Sequence, residues 1–126
     1  LKVNIVEIDN QHKQLVSMIN QLHDEMKLGK AKEILGAILN DMVGYAGTHF
    51  QTEEKYFSQF HYPETAVHVL EHQAFVKKVS EFKQAFDGGK QALSLQVMEF
   101  LSDWLKNHIH NSDKRYGPFL NAKGVK

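Results

Sequence analysis

Apolar positions recur at spacings of three and four along most of the chain, the pattern of helices that each turn one face to a core. The first stripe is Ile8, His12, Leu15, Ile19, Leu22 and Met26, in a helix expected from about Asp9 to Leu28 and closed by Gly29. The second is Leu35, Ile38, Met42, Ala46, His49, Glu53, Tyr56 and Phe60, from about Ala31 to Phe60. Pro63 stops that region, because its ring cannot continue a running helix. The third, from about Glu64 to Phe86, carries His68, His72, Phe75, Val79, Phe82 and Phe86 and ends at Gly88-Gly89. The fourth, from about Gln91 to His110, carries Val97, Leu101, Trp104 and His108, with a break expected at Gly117-Pro118. Breaks of roughly two to six residues force consecutive helices to run antiparallel. The pattern therefore predicts an all-α, up-down-up-down four-helix bundle with short loops.

Every stripe is interrupted by residues that do not belong in a core: His12, His49, Glu53, His68, His72 and His108, with Asp113 just beyond. Buried imidazoles and carboxylates without partners cost several kcal/mol, so something must compensate them. His49/Glu53 and His68/His72 are four apart, and such side chains lie above one another on a helix. Each pair alone is weak evidence. Topology adds more, because His12 starts the first helix, His49 and Glu53 end the second, His68 and His72 start the third and His108 ends the fourth. In an antiparallel bundle those places share one end.

His108 and Asp113 are five apart, and a regular helix would splay them by about 140°. The helix is expected to end or distort between them, or the carboxylate to reach in from the next turn. Five nitrogen donors and two carboxylates exceed what one tetrahedral zinc takes, and suit two octahedral-type metals that share bridging carboxylates. A dinuclear iron site is the natural reading. Its histidine-rich balance differs from the carboxylate-rich sets of oxygen-activating bundle enzymes and favours reversible oxygen binding.

Composition narrows the alternatives. Lys plus Arg and Asp plus Glu are balanced at 15 each, which argues against a domain built to bind nucleic acid or an anionic membrane. The absence of Cys removes disulfides, thiolate metal sites and a cysteine nucleophile, and fits a cytoplasmic location. No apolar run is long enough to span a membrane. No phosphate-binding glycine loop or Ser-based nucleophile pattern is present, so hydrolytic and nucleotide chemistry are not expected.

The chain resembles the bacterial hemerythrins over essentially its whole length. The resemblance is carried by Asp9-x-Gln11-His12, by His49-Phe50-x-x-Glu53-Glu54, by His68-x-x-x-His72, and by Trp104-x-x-x-His108-x-x-x-x-Asp113-x-x-Tyr116. It implies that His68, His72 and His108 hold one iron, that His12 and His49 hold the other, and that Glu53 and Asp113 bridge them beside an oxo or hydroxo group. Dioxygen would bind reversibly at an open position on the two-histidine iron, with Phe50, Trp104, Leu105 and Ile109 around the oxygen pocket. Two departures touch no ligand: the aromatic-rich segment ahead of the first helix is missing, and Phe57 stands where a Met often follows the paired glutamates.

On this reading residues 1–126 form a single hemerythrin-like domain, free-standing or cut from a longer chain, since the sequence begins at Leu1 without an initiator Met. The expected role is oxygen transport, storage or delivery by a monomer with no enzymatic activity. An oxygen- or redox-sensing module of a signalling protein is the alternative, and a peroxidase or iron-oxidising enzyme a weaker third. His23, His61, His110 and Glu54 are read as solvated surface groups. Gly36, Gly44 and Gly47 are read as points of close helix contact in preference to a ligand path, and Tyr116 as either a partner of the site or packing for the tail.

Overall fold

The computed structural model describes residues 3–89 and 93–126, without the side chains of residues 31–33. The helices are α1 (Val6–Lys27), α2 (Ala31–Phe60), α3 (Thr65–Asp87) and α4 (Ser94–Trp104). A π-helical stretch (Leu105–Asp113) and α5 (Lys114–Ala122) then extend α4 as one rod. The architecture is the expected antiparallel four-helix bundle, in which α1 packs on α2 and α4, and α2 packs on α3. The expected start of the last helix near Gln91 lies outside the described residues.

The breaks follow local chemistry. Past the end of α1, Gly29 takes a positive φ of 70°, and past α3, Gly89 takes 101°, conformations that cost glycine little. α2 stops at His61, which adopts the left-handed conformation two residues before Pro63.

Two departures from expectation occur at the termini. α1 starts at Val6, ahead of Asp9, and the Asp9 carboxylate accepts the Val3 N–H at 2.8 Å. This holds Val3 and Ile5 in the interior. At the other terminus Gly117-Pro118 does not break the chain, because α5 continues through Pro118 to Ala122. Gly117 instead makes room for the N-terminal segment, since a Cβ there would sit 3.2 Å from the Val3 carbonyl oxygen. The missing Pro118 N–H is offset by burial of Tyr116 and Leu120 on either side of it.

The buried apolar side chains form two clusters. The larger fills the bundle from Leu22, Leu35 and Phe82 up to Tyr45, Phe50, Trp104 and Ile109. The smaller joins Val3, Ile5 and Ile8 to Phe57, Tyr62, Tyr116 and Leu120 and closes the other end. The polar residues predicted from the stripes lie between the two.

Candidate metal centre

His12 comes from the second turn of α1, His49 and Glu53 from the latter half of α2, and His68 and His72 from the first turns of α3. His108 and Asp113 come from the π-helical stretch. All seven are buried, with none more than 3% exposed. The π stretch resolves the five-residue spacing. Its N–H groups bond five residues back, so the fifth side chain returns over the first and does not splay away.

The donors gather in two sets, Glu53 with His68, His72 and His108, and Glu53 and Asp113 with His12 and His49. Within each set one donor atom per residue lies within 4.8 Å of all the others. Glu53 belongs to both sets, its Oε1 standing 2.9 Å from His72 Nε2 and 3.4 Å from His49 Nε2. Asp113 also spans them, with Oδ1 2.9 Å from His68 Nε2 and 3.0 Å from His108 Nε2, and Oδ2 2.9 Å from His12 Nε2.

These separations are short enough for hydrogen bonds, yet Nε2 of His49, His68, His72 and His108, Glu53 Oε1 and Asp113 Oδ1 complete none of acceptable geometry. The atoms converge on common points and do not aim at one another. Adjacent donors on an octahedral ion with bonds of about 2.1 Å stand about 3.0 Å apart, as several of these do.

The outer ring nitrogens explain why the inner ones are available. His49 Nδ1 donates to Gln11 Oε1 at 2.7 Å, His72 Nδ1 to Glu54 Oε2 at 3.0 Å, and His108 Nδ1 to Glu71 Oε1 at 3.2 Å. A proton held on Nδ1 leaves the Nε2 lone pair facing inward, the tautomer a metal requires. Burial pushes His49 down to about 4, so its ring is neutral at neutral pH.

Burial also opposes ionisation of the two carboxylates, but their imidazole neighbours prevail. His49, His68 and His72 hold Glu53 well below the usual carboxylate range, and His108, His12 and His68 hold Asp113 below it. Burial disfavours charge on His68 too, and Asp113 and Glu53 outweigh it, pushing the ring up to about 9. A protonated His68 offsets one of the two ionised carboxylates, and the negative charge left in the core calls for further cationic compensation. The donor chemistry, the inward lone pairs and the shared carboxylates thus fit a pair of metal cations.

Aromatic rings wall the site. Phe50 stacks on His72 and Trp104 on His108, each at 3.9 Å between ring centroids. Tyr45 lies on His49 at 5.0 Å, and Phe57 meets His68 edge-on at 4.9 Å. Ile109 is fully buried, and Leu105 is half-buried against the larger cluster. Burial, with the charges of Glu53 and Asp113, raises the Tyr116 phenol well above its ordinary range, so it stays protonated and donates to Glu53 Oε2.

Several expectations are sharpened by these positions. His23, His61 and His110 are exposed, as expected. Glu54 is not a free surface charge, because it is half-buried and bonded to His72. Glu71 carries no signal in the sequence. Its partner His108 lies 37 positions away, and no local spacing marks it. Gly36 is a true close contact, where a Cβ would stand 3.0 Å from the Phe86 ring. Gly44 and Gly47 are not, since a Cβ at either meets nothing within 4 Å. Gly47 lines a groove of about 580 Å³ between α2 and α3, beside Phe50, Glu54 and His72.

Comparison with known proteins finds relatives over most of the chain. Residues 3–120 match the model of the hemerythrin HHE cation binding domain. The chain is 35% identical over 119 residues to a bacteriohemerythrin of Methylococcus capsulatus, covering 94% of this chain and 90% of that one. It is 36% identical over 116 residues to a bacteriohemerythrin of Pseudomonas aeruginosa, covering 92% of this chain and 74% of that one. A crystal structure of wild-type hemerythrin superposes with a TM-score of 0.82 at 33% identity, covering 92% of this chain and 88% of the other. With its two donor sets at one level of a four-helix bundle, this chain belongs to the hemerythrin HHE cation-binding family.

Proposed function

We propose that this protein binds dioxygen reversibly at a non-heme di-iron centre and serves as an oxygen carrier or store, without turning the oxygen over. The observation that carries the proposal is the set of buried Nε2 atoms turned inward, each of three paired through Nδ1 with an outer acceptor. His68, His72 and His108 would hold one iron, His12 and His49 the other, and Glu53 and Asp113 would lie between the two. When bound, such a pair supplies reversible electron exchange with dioxygen.

The side chains themselves do the rest. Tyr116 and the outer acceptors hold the donors in place before any ion arrives, which lowers the ordering cost of binding. The stacked rings of Phe50 and Trp104, with Ile109 and Leu105, keep the surroundings apolar and exclude water. We assign these four to the oxygen pocket on the family resemblance; the two stacked rings themselves lie against His72 and His108, on the three-histidine side. A dry pocket suits a ligand that must leave unchanged, since water and protons promote irreversible oxidation. No helix among the described residues is long and apolar enough to cross a membrane. Nothing in the comparisons favours the sensing-module alternative.

The test is optical. Reduced, iron-loaded protein exposed to air is expected to gain a visible charge-transfer band that vanishes on deoxygenation and returns through repeated cycles. A band that never reverses, or iron oxidised without one, overturns the proposal.

A further inference from the structure

We infer that the two donor sets hold their ions with unequal strength, and that the charge on the outer acceptors, Glu54 and Glu71 against Gln11, widens the difference. The three-histidine set fills first and empties last. This rests on the metal reading above and adds a property of that site.

The outer shell is asymmetric. On the three-histidine side, His72 and His108 both donate to carboxylates, Glu54 of α2 and Glu71 of α3. Glu71 is further fixed by Ser112, whose hydroxyl donates to the same oxygen at 2.8 Å. On the other side His49 donates to Gln11, a neutral amide whose own nitrogen is spent on Thr52 Oγ1 at 3.1 Å. A carboxylate pulls on the Nδ1 proton more strongly than an amide does, and so makes Nε2 a better donor to a cation. Glu54 and Glu71 are 42% and 34% exposed, so water damps their through-space field. The influence carried through the ring is not damped in this way. Glu53 and Asp113 each approach histidines of both sets, so the charge that differs between the two sides is that of the outer acceptors. The set with three nitrogens, two of them reinforced by anions, is therefore the stronger one. The His12/His49 half is the exchangeable one.

The experiment is an anaerobic competition between metal-free chain and a ferrous chelator, followed by iron counting, on the wild type and on Glu54→Gln, Glu71→Gln and Gln11→Glu. The glutamine variants keep an acceptor in place and remove only charge. The wild type is expected to load in two steps. Each Glu→Gln change should weaken the tighter step about tenfold and leave the weaker step unmoved, and Gln11→Glu should tighten the weaker step by a similar factor. Loading of two irons in one step by the wild type, or equal movement of both steps in Glu54→Gln, overturns the inference while leaving the metal reading intact. The same holds if Gln11→Glu leaves the weaker step unchanged. A wild type that takes up no iron overturns both. Circular dichroism confirms folding of each variant, and if Glu71→Gln fails to fold, the Glu54→Gln result decides.

Discussion

The two ends of the bundle are made from the same four rods and are stabilised in different ways. Where Leu22, Leu35, Leu39, Phe82 and Val97 meet, the buried faces are apolar, and removal of area from water accounts for the packing. Toward the other end the same helical stripes carry imidazoles and carboxylates, whose burial is unfavourable until a cation joins them. The smaller apolar cluster of Val3, Ile5, Phe57, Tyr62 and Leu120 then caps the polar layer. The contrast shows how one repeat can build both a core and a site. The apolar end folds the chain, and the polar layer exploits the rigidity that this folding supplies.

The sharpest way to break the comparison is to take the metal away. Metal binding contributes to folding when apo ligands are buried, so stripping iron should lower the thermal midpoint by roughly 10 °C or more, read by calorimetry with and without metal. An unchanged midpoint would mean that the polar layer is stable by itself.

Two truncations then separate the ends. Leu22→Ala, in the apolar end, should cost about 2 to 5 kcal/mol in denaturant unfolding and leave the iron count per chain unaltered. Glu53→Ala, which removes the carboxylate common to both donor sets, should lower the iron count. Two irons retained in that variant would remove Glu53 from the bridging role.

A smaller effect is expected from Tyr116→Phe. It keeps the ring against Phe57 and Tyr62 but leaves Glu53 Oε2 short of its donor, a loss of about 1 to 3 kcal/mol in the same assay. The smallest concerns the glycines of α2. Gly44→Ala meets open space and should stabilise the helix by about 0.5 to 1 kcal/mol, whereas Gly36→Ala must displace the Phe86 ring and should show no such gain. Equal responses would mean that the Phe86 contact carries no cost.

The stripe positions and their punctuation were legible because they depend on neighbours within a few residues. Gly29, Pro63 and Gly88-Gly89 mark the ends of α1, α2 and α3 by backbone preference alone. Gly117-Pro118 misled for the same reason. The local signal is a break, and it is overridden by the packing of Val3 on Gly117 and the burial of Tyr116 and Leu120. His12, His49, Glu53, His68, His72 and His108 were also legible, since spacings of four and an antiparallel order place them at one end, whereas the five-residue step to Asp113 left its direction open.

The sequence by itself determined four amphipathic helices, their antiparallel order and the level at which five histidines and Glu53 would meet. These follow from helical periodicity and short loops, which are local. The tertiary structure decided that His108 and Asp113 share a face through a π-helical stretch. It also decided that Glu54 and Glu71 lie behind His72 and His108 while neutral Gln11 lies behind His49. A hydrogen bond between side chains on different helices depends on rotation and axial offset to a fraction of a turn, and those are set only when the cores interlock.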